Sequence, residues 1–240
     1  MRAVFVSILA LLVTLILPAL GFAARIGVYT GSFDPPHLGH QAVAQTIKKQ
    51  FGLDILYIIP DRSVAYKKGM QSPEHRNQML KLLFSNDPGI RTFNEAQDAA
   101  QGPGEMWDVI RVVQSDHPTD EVFALMGSDT LKWYKTLPPE HHNKQITLLV
   151  ARRDQVGQPP APIPPAEFEG QKIVDVKLST GDNISSSKIR QQIQGGIEPQ
   201  DLTPEMNQYI RKNQLYGAIS MSPLTSTKNC ILQAIETLSK

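Results

Sequence analysis

Gly31-Ser32-Phe33-Asp34-Pro35-Pro36-His37-Leu38-Gly39-His40 is the stretch whose reading decides the fold. It follows the apolar run Ile26-Gly27-Val28-Tyr29 and leads into Gln41-Ala42-Val43-Ala44-Gln45-Thr46-Ile47, whose apolar residues have helical spacing. The order is strand, tight turn, then a helix that opens at the second histidine. Gly31 is expected to take backbone angles closed to other residues and, lacking a side chain, to let a phosphate approach the main chain. A helix start at this place presents N–H groups and the positive end of a dipole, a seat for an anion. His37 and His40 flank the turn and add ring donors aimed at the same place. The stretch reads as a cradle for the phosphates of a nucleotide.

On either side of it, short apolar runs alternate with helical patterns. Strands are expected at 26–29, 54–59, 90–93, 122–126, 146–150 and 173–178, and helices near 39–50, 73–84, 105–115, 128–137, 185–194 and 204–212. Runs rich in β-branched residues and separated by helices predict an α/β fold, a doubly wound, Rossmann-like parallel sheet with helices on both faces. In such folds ligands sit beyond the carboxyl ends of the strands, where the strand order reverses, and the 31–40 turn is expected there. The Pro-rich stretch within 155–167 reads as a solvent loop.

The 240 residues are 41% hydrophobic and 20% charged, which suits one globular domain with a full core. With 24 basic residues against 23 acidic ones the formal net charge is +1, which argues against a nucleic-acid partner. Cys230 is the single cysteine, so an intrachain disulfide framework and a cysteine-rich metal site are both excluded. His141 and His142 are adjacent in a polar segment and are assigned no metal.

The first twenty residues hold one charged side chain, Arg2, ahead of a dense apolar run from Val4 to Leu17. A basic start, an apolar centre and small residues at Gly21, Ala23 and Ala24 are the parts of a cleaved export signal peptide, with cleavage expected near Ala23 or Ala24. An uncleaved membrane anchor is the alternative, but the apolar run is short of the roughly 20 residues that a bilayer span needs. A misassigned start, with a cytoplasmic protein, is the third reading. The expected division is a leader at 1–23, a folded domain at 24–217 and a tail at 218–240 with a short amphipathic helix. Membrane contact is expected only through the N-terminal segment.

The 31–40 stretch resembles the H-x-G-H signature of the nucleotidylyltransferase superfamily, and more closely the nicotinate/nicotinamide mononucleotide adenylyltransferases. Ile184-Ser185-Ser186-Ser187-Lys188-Ile189-Arg190 resembles that family's I-S-S-T-x-x-R segment, with Ser187 in place of the Thr. Ser72-Pro73-Glu74-His75-Arg76-Asn77-Gln78-Met79 resembles S-x-x-H-R-x-x-M, and Gly127-Ser128-Asp129-Thr130-Leu131 resembles G-A-D-x-L. Tyr209-Ile210 and Leu215-Tyr216-Gly217 are similar to the closing pattern of the pyridine-mononucleotide branch.

The resemblance implies adenylyl transfer from ATP to a pyridine mononucleotide, with release of pyrophosphate, in NAD biosynthesis. It implies catalytic roles for His37, His40 and Arg190. ATP contacts are implied for Gly31, Ser32, Phe33, Gly39, Gly127, Asp129, Ile184, Ser185, Ser186 and Ser187. Mononucleotide contacts are implied for Lys67, Arg76, Trp107 and Trp133. Mg²⁺ is expected, held by substrate and water, since the sequence has no evident carboxylate cluster for it. A homo-oligomer is compatible with this reading.

Several of these residues have a second reading. Arg76 equally suits a structural ion pair, Trp107 and Trp133 equally suit core packing, and Asp129 suits a helix start. For Lys68 and His75 solvent exposure is expected. Where relatives acting on nicotinate mononucleotide carry a P-S-Y-T-like segment, this chain has Pro103-Gly104-Glu105-Met106-Trp107-Asp108. The Tyr-Thr pair is absent and Glu105 would repel a carboxylate, so the choice between acid and amide stays open. Two other readings remain: an exported nucleotide-binding protein without catalysis, and a sibling nucleotidylyltransferase with another phosphate acceptor.

Overall fold

The computed structural model describes residues 23–61, 69–92, 106–127, 131, 134, 143–152, 170–177 and 184–218. Six strands, β1 (Arg25–Gly31), β2 (Ile55–Pro60), β3 (Ile90–Thr92), β4 (Glu121–Gly127), β5 (Thr147–Arg152) and β6 (Lys172–Lys177), form one sheet in the order β3-β2-β1-β4-β5-β6. Every pairing is parallel. The helices are α1 (Leu38–Gln50), α2 (Pro73–Leu83), α3 (Met106–Asp116), α4 (Ser186–Gln194) and α5 (Pro204–Lys212), followed by a 3₁₀ turn at Leu215–Gly217. The expected α/β architecture is the one observed, with each expected strand present and its ends moved by a residue or two. The helix expected at 128–137 has only Leu131 and Tyr134 among the described residues; the 155–167 loop, the pair at 141–142, Cys230 and the tail helix lie outside them.

The sheet is buried on both faces because its strands carry apolar side chains on both. In β4 the alternation that a pleated strand imposes sends Phe123 and Leu125 to one side, and Val122, Ala124 and Met126 to the other. The first side is covered by α1, α2, α4 and α5 through Ala44, Ile47, Met79, Leu80, Ile189, Ile193, Met206 and Ile210. The second side is covered by α3 through Trp107, Ile110 and Val113. Helix starts follow ordinary capping chemistry. Ser72 accepts from His75 N ahead of Pro73, and Thr203 accepts from Met206 N ahead of Pro204.

This topology places the site. The chain runs outward through β1, β2 and β3 and then returns to lay β4 beside β1, so the strand order reverses between β1 and β4. Their carboxyl ends are Gly31 and Gly127, and the loop that follows Gly31 is the stretch singled out in the sequence. Among the described residues no helix is long and apolar enough to cross a membrane.

Candidate functional site

The turn after β1 is built differently from the sequence expectation. Gly31 ends the strand without a positive φ; Phe33 takes the left-handed conformation instead, at φ 45°. What a side chain would meet here is the Phe33 ring, 3.2 Å from a Cβ built at Gly31, a tight contact from which the ring would have to shift. Phe33 is 2% exposed, and its ring meets Tyr29 edge-on at 5.1 Å and His40 at 4.9 Å. A left-handed non-glycine residue costs about 1–3 kcal/mol, which the burial of a whole phenyl ring offsets. Phe33 therefore turns the chain and props His40; its ring faces the protein, not a ligand.

His37 caps α1 and His40 lies in its first turn. Their rings stack at 3.7 Å with 30° between planes, and both are buried. The His37 amide donates to His40 Nδ1 at 3.2 Å, so in the neutral ring the proton sits on Nε2. His40 is thus set as a donor through the nitrogen on the far side of its ring. Gly39 is buried between the two.

The second helix start, α4, meets the same loop from across the sequence. Ser185 caps it by accepting from Lys188 N at 3.3 Å. Ser186 Oγ donates to the Pro35 carbonyl at 2.9 Å. Arg190 donates to the Asp34 carbonyl at 2.6 Å and to Ser187 Oγ at 3.2 Å. These bonds use only part of the guanidinium's donor set, and the side chain is one-third exposed. Ile184 packs its side chain against the core, which leaves only its backbone for a ligand. Helices α2, α3 and α5 each carry an acidic residue in the first turn, Glu74, Asp108 and Glu205. Helices α1 and α4 carry none. Two helix dipoles therefore converge on one loop with no acidic residue in either first turn, accompanied by the His37/His40 pair and by Lys188 and Arg190.

Asp34 and Tyr216 are the parts of this site that sequence reasoning left without a role. Asp34 is 6% exposed, and its Oδ1 accepts from Tyr216 Oη at 2.7 Å and from the Gln71 amide at 3.2 Å. Its Oδ2 stands 3.8 Å from Arg190. Burial, together with the adjacent carboxylate, raises the Tyr216 phenol far above its ordinary range and keeps it a donor. Four segments of the chain thus meet at one carboxylate. The only sequence signal was the presence of Asp34 inside the quoted turn and of Tyr216 in the closing pattern.

Two expected contacts and one expected exposure are corrected by their surroundings. Arg76, read as a mononucleotide ligand or an ion-pair residue, is 0% exposed and donates to the carbonyls of Gln71, Ser32 and Asp61 at 3.0, 2.8 and 2.7 Å. It is a clamp inside the wall, joining the loops that leave β1 and β2 to the start of α2. Burial lowers its pKa, and Asp34 and Asp61 oppose that shift. Trp107 is 6% exposed and stacks on Tyr134 at 4.6 Å in the second core cluster, so it forms no open wall for a pyridine. His75, expected in solvent, is partly buried with its Nδ1 2.8 Å from Tyr209 Oη. Ser32 has its carbonyl on Arg76. Gly127 ends β4 with open space where a side chain would stand. Lys67, Lys68, Glu105, Asp129 and Trp133 lie outside the described residues. Among the described residues no group of three His, Cys, Asp or Glu side chains is placed to hold a metal ion.

A sequence model of the cytidylyltransferase-like family matches residues 28–192. A protein named probable nicotinate-nucleotide adenylyltransferase from Methylibium petroleiphilum is 33% identical over 205 residues, covering 80% of this chain and 92% of the relative. One of the same name from Geobacillus thermodenitrificans is 30% identical over 201 residues, covering 81% and 87%. Among solved structures, Plasmodium falciparum nicotinic acid mononucleotide adenylyltransferase complexed with NaAD superposes with a TM-score of 0.64 at 18% identity. That match covers 82% of this chain and 100% of the other and bears on the fold.

Proposed function

The chain belongs to the cytidylyltransferase-like family of nucleotidyltransferases, and we propose that it transfers the adenylyl group of ATP to the phosphate of a pyridine mononucleotide in NAD biosynthesis. An oxygen of the mononucleotide phosphate attacks the α-phosphorus of ATP. The bond from that phosphorus to the bridging oxygen breaks, and pyrophosphate leaves with the electron pair. No covalent nucleophile from the protein is needed. Catalysis rests on holding the two phosphates in line and on meeting the charge that grows on their oxygens.

The observation that carries this reading is the convergence of α1 and α4 on the loop at 34–35, both free of first-turn acids. His40 donates from Nε2 to a phosphate oxygen, because its Nδ1 is occupied by the His37 amide. Arg190 is held by Asp34 and Ser187 with N–H groups to spare for the leaving β- and γ-phosphates. The Ser185 and Ser187 hydroxyls accept from within α4 and keep their own protons for donation to the same oxygens. A divalent cation, Mg²⁺ in this reading, neutralises phosphate charge when bound. Oδ1 of the loop's carboxylate, Asp34, is engaged by Tyr216 and Gln71, and Oδ2 faces Arg190, so a bound cation would draw its ligands from phosphate oxygens and water.

The test is incubation of the protein with ATP, Mg²⁺ and either nicotinate or nicotinamide mononucleotide, with dinucleotide and pyrophosphate both quantified. Equimolar formation of the two products is expected, and the relatives' names favour the nicotinate form as acceptor. ATP binding with no pyrophosphate released in the presence of either mononucleotide would overturn this reading, in favour of a nucleotide-binding protein without catalysis or a transferase with another phosphate acceptor.

A further inference from the structure

We propose that the chain is cut between Ala23 and Ala24, and that the α-ammonium group so created is held by the carboxylate of Asp120. Two independent observations meet at that peptide bond. In the sequence, Gly21 and Ala23 occupy the third and first positions before it, behind Arg2 and the apolar run from Val4 to Leu17. That is the order read by the peptidases that remove export leaders. A cut one residue later would put the bulky Phe22 in the third position. In the structure, the two residues on either side of that bond differ in their surroundings. Ala23 is exposed. Ala24 is held at three points: its nitrogen donates to Asp120 Oδ1 at 2.8 Å, its carbonyl accepts from Glu121 N at 2.9 Å, and its methyl packs against the second core cluster. Strand β1 begins at the next residue, with Arg25 in register with Glu121.

The cut is a hydrolysis. Water adds across the bond, its oxygen completing a carboxylate on Ala23 and a proton passing to the Ala24 nitrogen, which takes up another at neutral pH to become an ammonium. Asp120 then faces a full positive charge where it had faced an amide dipole. Its side chain is 17% exposed, so the pair is less screened than one on the open surface. Its other oxygen lies 2.9 Å from His117 Nδ1, which holds the carboxylate in position before any cut is made. The folded domain thus carries a built receptor for its own processed terminus, and processing strengthens a contact that is already in place. This inference is independent of the catalytic reading.

Expression of the full chain in a secretion-competent bacterium, followed by intact mass and N-terminal sequencing, tests the cut. The recovered protein is expected to start at Ala24; a protein starting at Met1 or at any other residue overturns the proposal. The docking is tested by a cycle of two changes. Asp120→Asn is made in the chain that starts at Ala24 and in one that retains residues 21–23, where an amide replaces the ammonium. The substitution keeps an acceptor oxygen and removes the charge, and its effect on His117 is common to both backgrounds. It is expected to lower the melting temperature of the Ala24 form by about 2–4 °C more than that of the extended form. Equal losses in the two backgrounds would overturn the ion pair.

Discussion

Replacing Tyr216 with Phe removes one hydroxyl from a buried junction and leaves every apolar contact in place. Tyr216 is 7% exposed and holds a left-handed backbone, φ 58°, that its surroundings must sustain. Its hydroxyl donates to Asp34 Oδ1 at 2.7 Å. A hydrogen bond to a charged partner contributes about 1.5–3 kcal/mol, and a chain of this size loses roughly 2–4 °C of melting temperature per kcal/mol. Tyr216→Phe is therefore expected to lower the melting temperature by roughly 3–12 °C. It also has a kinetic consequence. Asp34 Oδ1 keeps only the Gln71 amide, so the carboxylate is free to rotate toward Arg190, whose guanidinium now stands 3.8 Å from Oδ2. Closing that gap draws the guanidinium off the phosphate cleft. The KM for ATP is expected to rise about 3- to 10-fold, the equivalent of about 0.7–1.4 kcal/mol, with a smaller change in kcat. Thermal melts and steady-state kinetics on the same preparation read both effects. A lowered melting temperature with an unchanged KM for ATP would refute the reasoning and leave Tyr216 as a staple of the fold.

His40→Ala removes the oriented Nε2 donor and is expected to cut turnover at least about 100-fold with an unchanged circular dichroism spectrum; near-normal turnover would take the ring out of the chemistry. Arg76→Met removes the guanidinium's bonds to three part-buried carbonyls and is expected to cost about 3 kcal/mol in denaturant titration. Arg76→Lys restores little of that loss, because a point charge cannot span three carbonyls. Trp107→Phe keeps an aromatic ring against Tyr134 and is expected to leave the KM for the mononucleotide unchanged. A several-fold rise would return Trp107 to the binding site.

The parallel sheet was legible because its strands are short, apolar on both faces and separated by helical spacing, a pattern that few other architectures produce. The two helix starts were legible because each is local: a turn, a cap and nearby histidine or basic side chains lie within ten residues of one another. What escaped were roles set by distant partners. Arg76 sits in a helix whose sequence permits either an outward or an inward side chain, and the carbonyls of Ser32 and Asp61 that capture it come from other loops. Tyr216 reaches Asp34 from the far end of the domain. Gly31 was read by its own backbone freedom, whereas its use depends on where the Phe33 ring comes to rest. Trp107 was drawn toward the ligand by its neighbours in sequence, while its partner, Tyr134, lies beyond β4.

Calorimetric titration of ATP and of adenosine into the wild type, His40→Ala and Arg190→Met asks whether α1 and α4 close on one triphosphate. Each substitution is expected to weaken ATP at least about 10-fold while adenosine binds as before, if both groups meet phosphate oxygens alone as proposed. If either variant binds ATP as tightly as the wild type, or loses adenosine in equal measure, the two helix starts do not share a triphosphate.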